Sequence, residues 1–256
     1  MNQLLCRCAY AWVTLGVAAF ATPAVASEPE GVPSTTETKA PPAYDKGEAL
    51  PLGLRAERNE AAFVTADGGY DGARKAGIID FAAEIHIWGP ITVRVGGTYI
   101  SDADDVKPTV GALVQLFNSD GLAGSFGVFY KPEGLTEPEG EIEATFALGK
   151  RFENATLVGS LTYGQDGEAE ERDGEVRVGG FYKVRKNFYA GADARFRFSL
   201  GTSKAGEPDY DILGGPLATL VAFDTAFTAQ VGVSAVKVAD QTLSGPEVLF
   251  GISRLF

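Results

Sequence analysis

The sequence predicts an all-β protein, an antiparallel up-and-down transmembrane β-barrel of about twelve strands, preceded by a leader and a polar tether. Three observations carry this. Alternating apolar and polar residues recur in about twelve segments, most close to the roughly 9–11 residues that a tilted transmembrane strand needs. The connections between these segments alternate between short and long. Hydrophobic residues make up 45% of the chain, yet no long apolar run follows the leader, which excludes a helical membrane protein. Strands that alternate average to a neutral hydropathy, as this chain does.

The leader spans 1–26. Arg7 supplies a weakly positive start, Ala9 to Ala21 an apolar run, and Ala24-Val25-Ala26 a small-residue cleavage site. The apolar run, about 13 residues, is shorter than the roughly 20 that a spanning helix needs, so a cleaved secretory signal peptide is expected. Cys6 and Cys8 are the sequence's two cysteines, and both leave with the leader, so the exported chain needs no disulfide. Residues 27–59 are polar and proline-rich, with Pro29, Pro33, Pro41, Pro42 and Pro51 and no periodicity. That composition predicts a disordered tether.

The barrel is expected over 60–256. Its strands are read at about 60–67, 77–88, 91–100, 109–118, 122–131, 141–150, 155–164, 175–184, 188–199, 210–222, 227–238 and 247–256. Short turns are expected at Gly89-Pro90, Ser119-Asp120-Gly121, Phe152-Glu153-Asn154, Arg185-Lys186-Asn187 and Asp224-Thr225-Ala226. Longer polar loops fall at about 68–76, 101–108, 132–140, 165–174, 200–209 and 239–246. Gly214, Gly215 and Pro216 interrupt one strand, and a bulge is expected there because proline cannot donate to a ladder.

Each strand has an apolar parity. Ile79, Phe81, Ala83, Ile85 and Ile87 share one face, and Leu122, Gly124, Phe126, Val128 and Tyr130 another. Tyr99, Tyr130, Tyr163 and Phe198 each end a strand just before a long loop, as amphipathic rings do at headgroup depth. The opposite parity carries charge: Asp80, Glu84, His86, Arg94, Glu143, Glu175, Arg177, Asp193, Arg195 and Arg197. A charge facing lipid costs roughly 2–4 kcal/mol near the midplane, so these residues are expected to line the lumen. Centring the 185–187 turn sets Glu175 opposite Arg197 and Arg177 opposite Arg195, with Asp193 diagonal to Arg177. Centring the 89–90 turn on Pro90 sets His86 opposite Arg94, with Glu84 diagonal to it.

The chain closes on Glu247-Val248-Leu249-Phe250-Gly251-Ile252-Ser253-Arg254-Leu255-Phe256, an alternating segment that ends on an aromatic residue. This resembles the terminal assembly signal of bacterial outer-membrane β-barrel proteins. The resemblance covers about 60–256 by architecture and points to no named subfamily. It implies a porin-like barrel in the outer membrane, periplasmic amino- and carboxy-termini, and Phe256 as the residue read by the barrel assembly machinery. Outer-membrane lipid and lipopolysaccharide are the implied surroundings.

Function is then expected to be passive passage of small solutes or ions through a charged lumen. A closed structural barrel, an outer-membrane hydrolase and a secreted β-sandwich are the rivals. The net charge of -12 argues against nucleic acid. No Cys/His set has metal spacing, and no cofactor is expected. A hydrolase is disfavoured because the sequence holds one histidine, His86, at the turn end of its strand. The acidic runs, such as Asp166, Glu168, Glu170, Glu171 and Asp173, read as solvated external loops.

Overall fold

A computed structural model describes residues 55–56, 61–101, 105–132, 140–167, 171–201 and 208–256. The expected leader, and all of the expected tether but Arg55 and Ala56, lie outside them. Twelve antiparallel strands form one closed barrel in sequence order, with β1 (Ala62–Asp71) hydrogen-bonded to β12 (Gln241–Leu255). Between them run β2 (Ala76–Trp88), β3 (Ile91–Ile100), β4 (Asp105–Ser119), β5 (Leu122–Pro132), β6 (Gly140–Arg151) and β7 (Ala155–Asp166). Then come β8 (Arg172–Arg185), β9 (Phe188–Ser199), β10 (Pro208–Ala222) and β11 (Thr225–Val238). Closure leaves no edge strand, which a lipid environment requires because it offers no water to satisfy one.

Short turns at 89–90, 120–121, 152–154, 186–187 and 223–224 gather at one end, together with the start of β1 and the end of β12. This is the short-turn end; the opposite one is the long-loop end. Two of the loops expected there contract. Residues 68–71 continue β1, and the connection is the four-residue turn 72–75, where the Asp71 carboxylate accepts from the backbone N–H groups of Ala73 (2.9 Å) and Arg74 (3.2 Å). The loop expected at 239–246 is the tight turn Ala239-Asp240, followed directly by β12. The glycines that broke the alternation are close-approach positions: a Cβ on Gly72 would lie 2.4 Å from the Pro246 carbonyl oxygen.

The register follows the turns, with bulges. Glu175 faces Arg197 and Arg177 faces Arg195, as the turn predicted. In β2 a bulge between His86 and Trp88 takes up one residue, so Glu84 faces Arg94 and His86 faces Thr92. The expected pairing of His86 with Arg94 is therefore displaced by two residues, one from the bulge and one from a turn centred between Gly89 and Pro90. The bulge expected at Gly215-Pro216 is absent. Pairing with β11 skips those two residues, but Gly214 with Val233 and Leu217 with Gln230 keep one register.

The outer face is apolar around the circumference, with Val64, Ile79, Phe81, Val95, Val128, Leu148, Leu161, Val178, Leu220, Val231 and Ile252 all exposed. A monomer in water rarely shows an apolar patch beyond a few hundred Å²; a continuous belt calls for hydrocarbon. Aromatic side chains frame it. Tyr70, Tyr130 and Tyr163 stand at the long-loop end, and Trp88, Phe152, Tyr182, Phe188, Phe223 and Phe256 at the short-turn end. Phe223 is the extreme case, 92% exposed in a turn where its φ is +55°. A bulky side chain in the left-handed region is costly, and here it is held at the depth where an aromatic ring is most at home.

Candidate functional site: the barrel interior

The inward parity of the strands builds the interior in layers. Nearest the short-turn end lies an apolar layer that includes Leu113, Ala123, Phe129, Ala147, Val158, Phe181 and Leu217, with Phe63, Val221, Ala226 and Leu255 beside them. Parity reasoning pointed to the charges and passed over this layer, although the same alternation contains it.

Above it the charged side chains pair. Arg177 donates to both Asp193 carboxylate oxygens, from Nε at 3.1 and 3.0 Å and from Nη2 at 2.6 Å. Arg94 Nη1 lies 3.5 Å from Glu84 Oε1, and its guanidinium stands 5.8 Å from the Phe129 ring. Thr98 donates to Asp80 at 2.5 Å. Lys131 pairs with Glu143. Glu175 is buried in the field of Arg195 and Arg177, while Arg197 pairs with Asp173 and approaches Glu141 at 3.8 Å. His86 shares the inward parity but lies exposed at the short-turn rim.

Several interior charges were not singled out by the sequence. Lys131 had the right parity. Asp71 and Arg74 lay where a loop was expected, and Asp67 and Asp211 at strand ends. At the long-loop end Arg74 leaves the β1–β2 turn and reaches across to β10, bonding Asp71 and Asp211 at 2.8 Å each. Ser234 donates to Asp71 at 2.7 Å and holds the same corner.

Among these charges a cavity of about 30 Å³ is lined by Asp67, Asp71, Asp80, Asp193 and Glu247 together with Arg177 and Arg195. That is room for a water or two. Asp67 Oδ1 and Glu247 Oε2 are buried there with no hydrogen-bond partner in the protein, so the site is chemically suited to water. Among the described residues no group of three or more His, Cys, Asp or Glu could hold a metal ion. Among the described residues, those buried as a whole include eight carboxylates and five cationic residues.

Phe256 sits at the barrel's seam. Its backbone N–H donates to the Ala62 carbonyl at 2.9 Å, its own carbonyl accepts from Ala61 at 3.1 Å, and the Arg254 guanidinium lies 5.1 Å from its ring.

No protein-family model and no curated protein sequence matches the chain. Solved structures do match in fold. The NanC porin superposes with a TM-score of 0.57 at 10% identity, over 75% of this chain and 100% of that one. The KdgM porin, in complex with disordered oligogalacturonate, gives 0.53 at 10% identity, over 76% and 99%. An outer-membrane channel from Pseudomonas putida F1 gives 0.53 at 12% identity, over 82% and 100%. With its closed twelve-stranded sheet, apolar belt and charged interior, the chain has the fold of the small outer-membrane channel barrels.

Proposed function

We propose that the protein is a passive channel of the bacterial outer membrane for small solutes or ions, with a preference for cations. The observation that carries this reading is the ion-paired interior. A barrel that needed only to be stable would do as well with apolar packing, because replacing a buried ion pair by apolar side chains is often neutral or stabilising. Charges kept in a bore serve what passes through it. The carboxylate excess sets the sign. It also argues against a polyacidic solute such as the oligogalacturonate of KdgM, which this interior would repel.

In this reading the short-turn end and both termini face the periplasm, and the long loops face outward into lipopolysaccharide. Phe256 is then available to the assembly machinery at the periplasmic side. A hydrolase is a poorer fit because the sole histidine, His86, lies at the short-turn rim. A closed structural barrel is the second reading, favoured by the small volume of the cavity.

Planar-bilayer recording in a salt gradient tests the proposal. The wild-type protein should open and show a cation-selective reversal potential, and Arg195→Glu with Arg197→Glu should strengthen that selectivity. Anion selectivity would overturn the assignment of the interior field. Silence of the wild type and of every variant would leave the structural barrel.

A further inference from the structure

We infer that Arg55 and Ala56, the segment ahead of β1, form a plug that closes the bore at its short-turn end. The inference rests on the channel reading and names what shuts it. Ala56 is 3% exposed and belongs to the apolar layer, whose Leu113 on β4 and Leu217 on β10 stand six strands apart, on opposite walls of a twelve-stranded barrel. A Cβ built on Gly149 of β6 would lie 2.8 Å from the Ala56 methyl. The neighbouring Arg55 is 1% exposed, and its guanidinium stands 4.5 Å from the Phe63 ring of β1. β1 and β6 are five strands apart. Two adjacent residues thus touch nearly opposite walls, which they can do only by crossing the bore.

The seat is shaped for a small occupant. Ala123, Ala147 and Gly149 present little side-chain volume toward Ala56, so without it the layer would hold a void.

A cysteine pair tests this in the full exported chain. The Ala56→Cys, Gly149→Cys protein carries its two new thiols in a chain whose Cys6 and Cys8 lie in the leader. The separation is somewhat under the usual Cβ–Cβ distance of about 3.5–4.5 Å for a disulfide, within reach of a small shift. The expected result is spontaneous cross-linking under mild oxidation, no conductance while oxidised, and wild-type conductance after reduction. Ala56→Asp should raise open probability by about tenfold or more, because it places an unpaired charge in an apolar layer, with the heat-modifiable folded band unchanged. Absence of the cross-link in folded protein would overturn the plug. So would a cross-linked protein that conducts as well as the reduced one, and the channel reading would survive that result. A cross-link that forms while no variant conducts in either state would overturn both.

Discussion

Truncating Asp193 to alanine removes the acceptor of three hydrogen bonds from Arg177, at 3.1, 3.0 and 2.6 Å, where the two side chains are 5% and 2% exposed. The guanidinium cannot escape by losing its proton, and it has no bulk water to turn to. Breaking a buried pair from one side costs about 3–5 kcal/mol. Glu175 lies in the field of Arg177 and takes over part of the compensation, so the loss should fall near the lower bound, about 3 kcal/mol, or roughly two orders of magnitude in the unfolding equilibrium. Urea unfolding in lipid vesicles measures it. Trp88, the one tryptophan among the described residues, is exposed at the short-turn end and reports the transition. Gln230→Ala is the control, since its amide reaches only the Asp193 and Gly215 carbonyls at 3.4 Å and should cost about 1 kcal/mol. Adding Arg177→Met to Asp193→Ala should recover most of the loss. A cost below about 1 kcal/mol for Asp193→Ala, or a double variant no better than the single, would show that the pair does not stabilise the wall.

Two further outcomes are expected. Deleting Phe256 should deplete the folded, heat-modifiable band with little change in synthesis, because it removes the seam's hydrogen bond to Ala62 and the terminal aromatic together; full membrane insertion at native expression would refute a role in assembly. Intact mass of the membrane-extracted protein should begin at Ser27, and a chain retaining Met1 would show that the leader serves as an anchor.

The strands whose ends are set by short turns were readable from sequence. β3 and β9 occupy the predicted residues, 91–100 and 188–199, because alternation runs unbroken between clear turn residues. The β8–β9 register was readable for the same reason. What failed was whatever depends on a partner strand. Gly69, Gly72 and Gly245-Pro246 look like loop residues in one dimension. In three they are where β1 and β12 approach: a Cβ on Gly69 would lie 2.3 Å from the Val248 carbonyl oxygen. The bulge that shifts His86 away from Arg94 likewise belongs to the β2–β3 pair and leaves no mark on either strand alone. Most interior charges on strands followed from parity, with Lys131, Asp67 and Asp211 passed over near strand ends, whereas Arg74 and Arg55 reach the interior from segments with no periodicity to read.

These two arginines separate what holds the barrel from what closes it. Eight strands are about filled by their own wall side chains, and sixteen leave a channel; twelve fall between. The additional material comes from outside the wall's alternation, with Arg74 spanning from the β1–β2 turn to Asp211 on β10 and Arg55-Ala56 crossing at the other end. The pairs Arg177–Asp193, Arg94–Glu84 and Lys131–Glu143 all join neighbouring strands. They stitch the wall without spanning the bore. A bore can open by withdrawing what crosses it and still keep every wall pair. Lesions in wall pairs should therefore appear in unfolding and in selectivity with open probability nearly kept, and loss of the Arg55-Ala56 contacts in open probability with unfolding nearly kept.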